Sequence, residues 1–337
     1  MKKIILVDGN NLLFRSFYAT AYQGVIMKNS KGFPTNALYG FINMMNKIIK
    51  DENPSYIMVA FDKGKTFRHD KYDDYKAGRM AMPDELRQQF PKAKDVLDSM
   101  GIKHFEIDNY EADDIIGTLA RIVDEEDQFI ATIVSSDKDL LQLISKEVTV
   151  KLLKSNDHIM MTPDVFREIY QVDPIRMIDL KALMGDSSDH IPGVKGIGEK
   201  TAISLLAKYG SLDGVYDHLE EISPKTREKL ESDKDNAYMS YDLATIYGFN
   251  GKSSMPEEIY DAIQIAASSV DFTEILTNSK TADQFHQNGL AECYSIAKRE
   301  NFYRESPKKR VPKPYVTKSS PHVTKKDWGS IFRPARG

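Results

Sequence analysis

Three short apolar runs, each stopping at or beside an acid, constrain this chain more than any other feature. Ile4-Ile5-Leu6-Val7 stops at Asp8, and Tyr56-Ile57-Met58-Val59-Ala60-Phe61 stops at Asp62. Phe129-Ile130-Ala131-Thr132-Ile133-Val134 runs into Ser135-Ser136-Asp137-Lys138-Asp139. Continuous apolar runs separated by helical stretches read as buried strands of a parallel sheet. The carboxyl ends of such strands lie along one edge, where ligands bind in open α/β sheets. Asp8, Asp62, Asp137 and Asp139 are therefore expected to converge. The fold class that follows is α/β, a mostly parallel central sheet flanked by helices.

A second acidic stretch runs from Asp108 to Gly117. Glu111, Asp113 and Asp114 crowd the first turn of a helix continued by Ile115, Ile116, Leu119 and Ile122. Asp108 or Asn109 is expected to cap that helix, whose N-terminal dipole offsets part of the negative charge. Capping needs one acid; three more within four positions point to a hard cation. Thr35 or Asn36 opens another helix, with Leu38, Phe41, Ile42, Met45, Ile48 and Ile49 as its core stripe. Between Asp62 and the acidic helix, Arg68 to Arg79 mixes basic and aromatic residues without an apolar stripe. That composition reads as a lid over the sheet edge, with cations for phosphates and tyrosines for bases. Pro83-Asp84-Glu85-Leu86 then restarts a helix that runs to about Met100.

Past Lys151 the strand–helix alternation gives way to helices. Met177 to Met184 leads into Gly185-Asp186-Ser187-Ser188-Asp189, where a helical turn would place Asp186 and Asp189 on one face. The run Gly193-Val194-Lys195-Gly196-Ile197-Gly198-Glu199-Lys200-Thr201 follows. A glycine-rich hairpin between two helices exposes backbone N–H groups at a helix N-terminus, which suits a phosphate. No strand precedes it, so the dinucleotide-binding fingerprint fails. Modest amphipathic helices without evident chemistry continue to Ala297.

Pooled carboxylates repel one another unless cations neutralise them. Oxygen-only ligands favour Mg²⁺ or Mn²⁺ over zinc, and neither the seven histidines nor the single cysteine, Cys293, has zinc-site spacing. Two such ions about 4 Å apart activate water and stabilise the leaving oxygen in phosphodiester hydrolysis. The net charge of −4 conceals an acidic body and a basic tail, in which twelve Lys and Arg from Ser295 onward face three acids. The distribution suits a nucleic-acid partner although the total does not. No run approaches the roughly 20 apolar residues of a membrane span, and Met1-Lys2-Lys3 leads straight into a strand rather than a signal peptide. One cysteine fits a reducing compartment, so a cytoplasmic, nucleoid-associated monomer is expected.

Five separated stretches carry a resemblance: LVDGNNLLFRSFYA, AFDKGKTFRHDKYDDYKAGR, YEADDIIGTLA, SSDKDLLQL and GDSSDHIPGVKGIGEKTA. Over roughly Met1 to Ala297 the chain resembles the 5′-nuclease family, the flap endonucleases and the N-terminal 5′→3′ exonuclease domains of bacterial DNA polymerases I. The resemblance implies a nuclease domain over 1–175 with a helical arch at about 65–100. It also implies a helix-hairpin-helix domain over 176–297 and a basic tail over 298–337. It places Asp8, Asp62, Glu111, Asp113 and Asp114 around a first ion, and Asp137, Asp139, Asp186 and Asp189 near a second. Lys76 and Arg79 match the basic pair that steadies the scissile phosphate, with Arg68 and Tyr75 as neighbours contacting the same strand. The hairpin residues Gly193, Val194, Lys195, Gly196, Gly198, Lys200 and Thr201 would grip duplex backbone, with a K⁺ ion on their carbonyls. Implied substrates are DNA with 5′ ends or flaps and RNA–DNA primer junctions, with DNA polymerase I or a sliding clamp as partner. Water would attack the phosphodiester directly, leaving a 5′-phosphate and a 3′-hydroxyl. The chain ends before a polymerase domain would begin, so a stand-alone exonuclease or an excised domain is expected.

Three rivals are weaker. An aspartate-nucleophile phosphatase needs a second Asp where Asn10 stands. A compact RNA-cutting nuclease lacks both an arch and a hairpin. A structure-specific DNA-binding module without catalysis has no use for acids at every matching position.

Overall fold

The computed structural model describes residues 1–21, 26–125, 129–155, 157–248 and 277–278. The chain opens with β1 (Lys2–Asp8), α1 (Gly9–Thr20), α2 (Asn36–Glu52) and β2 (Tyr56–Ala60). Next come α3 (Phe67–Lys71), α4 (Asp84–Arg87), α5 (Gln89–Ser99), β3 (Lys103–Phe105) and α6 (Ala112–Glu125). After them follow β4 (Phe129–Ser135), β5 (Val148–Leu153), β6 (His158–Met161) and α7 (Pro163–Tyr170). The helical part comprises α8 (Met177–Met184), α9 (Glu199–Tyr209), α10 (Leu212–Asp217), α11 (Pro224–Ser232) and α12 (Lys234–Ala244). The two-residue strand β7 (Thr277–Asn278) lies beyond them.

The sheet order is β3-β2-β1-β4-β5-β6, with β7 against β2. Five strands are parallel; β6 and β7 are antiparallel additions. Alternate residues of β1 feed two cores, Ile4 and Leu6 on the α6 side, Ile5 and Val7 on the α1–α2 side. A strand buried on both faces has no polar alternation, which explains the continuous apolar runs. α6 buries Ile115, Ile116, Leu119 and Ile122, each contributing about 1.5–3 kcal/mol by removal from water. Among the described residues no helix is long and apolar enough to cross a membrane.

Several local expectations change. β1 passes into α1 with no intervening turn, because Gly9 has no Cβ to strike the Phe61 ring, which would lie 2.5 Å away. Asp8 itself caps α1, accepting from the Asn11 N–H at 2.9 Å. Neither Asp108 nor Asn109 caps α6. Asp108 pairs with Lys63 at the surface, and Asp114 reaches back to accept from the Glu111 N–H at 3.0 Å. Within the range 65–100 expected for the arch, α5 buries Ala93 and Leu97 in the α1–α2 core. The turns over 72–83 form no regular helix; Tyr75 packs in a separate small core with Ile178 and Leu243, and Met82 packs against the α1–α2 core. The basic tail over 298–337, and the helical domain beyond residue 248 except 277–278, lie outside the described residues.

One buried ion pair joins the two halves. Arg68 in α3 is 2% exposed and Asp114 in α6 is 0% exposed. The guanidinium donates both Nη atoms to the Asp114 carboxylate at 2.8 Å, Nε to the Leu243 carbonyl and Nη2 to the Thr245 carbonyl. Asp114 Oδ1 also accepts from the Tyr247 N–H. Gln142 adds bonds to the Ala244 carbonyl and the Ile246 N–H. Removing one partner of a buried pair strands the other charge. Arg68→Met is expected to lower unfolding free energy by about 3–5 kcal/mol in urea titrations; a loss under about 1 kcal/mol would show that the pair is solvated.

Candidate metal and phosphate site

At the carboxyl edge of the sheet lies a cavity of about 360 Å³. Its acids are Asp8 from the end of β1, Asp62 after β2, Glu111 and Asp113 at the start of α6, and Asp137 after β4. The expected convergence therefore holds for Asp8, Asp62 and Asp137. It fails for Asp139, which starts a 3₁₀ turn and faces the ammonium of Lys181 in α8 instead. Asp186 takes the other side of the same ammonium, its Oδ2 2.5 Å from Lys181 Nζ.

The nine expected ligands divide by charge compensation. Asp8, Asp62, Asp113 and Asp137 share no ion pair with Lys or Arg among the described residues. Glu111 is met by Lys76 at 2.7 Å and Arg68 at 3.4 Å, and accepts from the Tyr75 hydroxyl at 3.1 Å. Asp189 pairs with Arg79 and lies 3.8 Å from Lys76 Nζ. Asp139 and Asp186 share Lys181. Asp114 is committed to Arg68 and is not among the residues that line the cavity.

The electrostatics follow this division. Burial pushes the Asp8 carboxyl up; bonds from the Asn11 N–H and Ser135 oppose the rise, Asp62 and Asp137 add to it, and the result is about 7. Burial raises Asp113 well above the carboxylate range, reinforced by Asp137 and Asp8. Asp62 rises through burial and Glu111. Glu111 behaves oppositely: burial would raise it, but Lys76 and Arg68 hold it at about 2. Burial likewise opposes the charge on Asp186, and Lys181 with Ser188 outweighs it, giving about 2.

Polar side chains hold the uncompensated acids. Asp62 accepts from Asn10 Nδ2 and the Ala112 N–H, both at 2.7 Å; Asp8 Oδ2 accepts from the Ser135 hydroxyl at 2.8 Å. Asn11 Oδ1 accepts from the N–H and hydroxyl of Ser136. Asn10, Asn11 and Ser135 are positions of the polar frame around these acids that the sequence reading did not single out, although Asn10 and Asn11 follow closely on Asp8. Among the described residues no three acids, histidines or cysteines are gathered tightly enough to hold an ion as they stand. An all-oxygen set with unbalanced negative charge in a cavity fits a hard divalent cation.

The basic residues border the cavity. Lys76 and Arg79 line it beside Phe14, Tyr18 and Met80. Lys76 has left-handed φ of 57°, which turns its amide onto the Asp189 carbonyl at 2.9 Å. The Gly78 N–H donates to His190 Nδ1 at 3.2 Å, so the segment is clasped to the 186–190 turn. That turn is no helix. Asp186 and Ile191 exchange backbone bonds at 2.8 Å, and the two acids diverge, Asp186 to Lys181 and Asp189 to Arg79. Arg68 and Tyr75, expected at DNA, are buried here with their polar groups engaged by Asp114 and Glu111.

In the hairpin, Gly193 has φ of 59°, and a Cβ there would lie 2.2 Å from the Gly185 nitrogen. Lys195, Gly196, Gly198, Lys200 and Thr201 are exposed, whereas Val194 is buried and serves the core. The Lys195 N–H donates to Asp233 Oδ2 at 2.7 Å, and the Gly196 carbonyl accepts from Lys229 Nζ at 2.7 Å. An anion and a cation of the chain thus already occupy two groups expected to meet phosphate and K⁺.

Residues 3–171 match the family described as 5′-3′ exonuclease, N-terminal resolvase-like domain, and residues 172–249 its C-terminal SAM fold. The chain belongs to the 5′-3′ exonuclease family. It is 48% identical over 249 residues to DNA polymerase I of Streptococcus pneumoniae R6 and 47% to that of Bacillus subtilis 168. Those alignments cover 73% of this chain and 28% of each relative. Bacteriophage T5 5′-exonuclease, solved with bound zinc, superposes with TM-score 0.60 at 23% identity, covering 86% of this chain and 99% of that one. The T5 flap endonuclease solved with DNA and metal ions gives 0.58 at 22%, covering 86% and 98%.

The raised acids carry a pH signature. Asp8, Asp62 and Asp113 release their protons at higher pH in the native state than in the unfolded chain, which releases them near pH 4, so stability falls as pH rises from there toward about 7, where Asp8 titrates. The melting temperature of EDTA-treated protein is expected to drop from about pH 5 to about pH 8, and saturating Mg²⁺ to flatten the slope. A midpoint that climbs over this range would contradict the uncompensated cluster.

Proposed function

We propose that this chain is a structure-specific 5′ nuclease that hydrolyses DNA phosphodiester bonds at 5′ ends and flaps with two divalent ions, Mg²⁺ or Mn²⁺. The observation that carries the reading is the cavity in which four uncompensated carboxylates face Lys76 and Arg79. Asp8, Asp62, Glu111 and Asp113 would hold one ion, and Asp137 with Asp139, Asp186 and Asp189 the other. Ions bound there supply Lewis-acid polarisation of the phosphate and activation of water.

The chain's own residues do the rest. Lys76 remains charged because Glu111 and Asp189 offset the effect of burial. Neutralising those acids frees Lys76 and Arg79 to bind the scissile phosphate, with Arg79, half-exposed, as the outer contact. Phe14 and Tyr18 on the cavity wall offer rings to an unpaired base. Exposed Lys195, Lys200 and Thr201 would track duplex backbone without reading sequence, so affinity falls with salt. Removal of RNA-primed flaps, cooperation with a polymerase or sliding clamp, monomeric action at the nucleoid and K⁺ at the hairpin belong to this same proposal. The support for a replicative role is the likeness to DNA polymerase I.

A 5′-labelled flap duplex tests it. Mg²⁺-dependent cutting near the junction, abolished by EDTA and sparing single-stranded RNA, is expected; tight binding without cutting would instead favour a non-catalytic module. Asp113→Asn is expected to reduce cleavage by more than the roughly 100-fold typical of a lost outer-sphere partner, while raising the ion-free melting temperature. Lys76→Ala should lower kcat on the flap and leave duplex binding nearly unchanged. An equal loss in KM alone would assign Lys76 to ground-state binding.

A further inference from the structure

Lys181 is a buried ionisable group that the function so far leaves unused. It is 4% exposed in α8, flanked by buried Leu180, Ala182 and Leu183. Its ammonium reaches Asp139, on the 3₁₀ turn after β4, and Asp186, just past the end of α8. These two acids are 47 positions apart in sequence and come together at this nitrogen. Packing gives no reason for a charge here, since buried ion clusters are replaceable by apolar groups at little cost. Asp139 and Asp186 have a common partner in Lys181, whereas Asp137, two residues from Asp139, has no ion pair among the described residues.

Two carboxylates about one ammonium leave a net negative charge, enough to attract a cation and insufficient to admit one beside the ammonium. A divalent ion placed between Asp139 and Asp186 would meet Lys181 Nζ at contact range, where like charges in a low-dielectric setting repel strongly. Ion entry and lysine departure are then the same event. We propose that Lys181 is the resident cation of the second ion site, holding Asp139 and Asp186 together in the ion-free protein and yielding its place when the second ion enters. The inference rests on the metal-site reading above. It makes the two ions unequal: the first enters where three of its four acids are uncompensated, whereas the second must displace a charge that the fold places between two of its acids.

Mn²⁺ titration of the full DNA-free chain, followed by electron paramagnetic resonance, reads this directly. Wild type is expected to bind one ion tightly and a second at least about tenfold more weakly, and Lys181→Gln to tighten the second by about tenfold or more. Lys181→Arg, which keeps the charge, should retain the weak second ion. An unchanged second-ion affinity in a folded Lys181→Gln chain overturns the proposal. Should that variant not fold, acylation of Lys181 in wild type, read by peptide mass spectrometry, decides. Labelling that rises on Mn²⁺ saturation supports displacement, and labelling indifferent to Mn²⁺ overturns it. A wild-type chain that binds no Mn²⁺ tightly would overturn the metal-site reading and this inference with it.

Discussion

The Arg68–Asp114 pair is the interaction on which the rest of the arrangement depends. Arg68 is anchored at the base of the 72–83 segment, Asp114 in the first turn of α6, and both hold the strand-like exit of α12 through residues 243–247. With five donors in a planar fork, arginine can satisfy a carboxylate and two carbonyls at once, which lysine cannot. Because both charges are out of water, the pair tolerates little movement. Glu111 and Asp113 flank Asp114 in sequence, so fixing Asp114 fixes the cavity wall. The second arginine contact, to Glu111, ties the same clamp to the acid that Lys76 and Tyr75 address.

From that clamp outward, the site is a matter of charge accounting. Five of nine acids are balanced by four basic side chains of the chain itself, and four are not. Glu111 and Asp186 are held ionised by their cations, whereas burial and neighbouring acids push Asp8, Asp62 and Asp113 toward the protonated form. The clasp between 76–79 and 186–190 keeps Lys76 and Arg79 at the cavity without exposing them fully. Fold and chemistry thus share side chains, and Asp8 both caps α1 and lines the cavity.

Much of this was legible from residue order. The apolar runs named β1, β2 and β4 because buried parallel strands carry no alternation, and each run's terminal acid named its edge. The stripe from Ile115 to Ile122 named α6. What misled were residues whose type suits two roles. Arg68 and Tyr75 have the composition of a nucleic-acid contact, yet a buried arginine needs many acceptors, and residues 243 and 245 supply two of them from 175 positions or more away. Asp186 and Asp189 have helical spacing, but Gly185 and Gly193 bring the backbone together too closely for a helix to form. Lys181 looked like an ordinary helix residue because nothing local marks a lysine as buried.

The sequence by itself determined the parallel sheet, the acidic edge and the family, since strand period, terminal acids and ordered motifs are properties of neighbouring residues. Only the tertiary structure decided which acids remain open to a cation and which are already answered. That sorting depends on Arg68, Lys76, Arg79 and Lys181 arriving from distant segments. Charge compensation acts through space, and its partners here are separated by 5 to 113 positions along the chain.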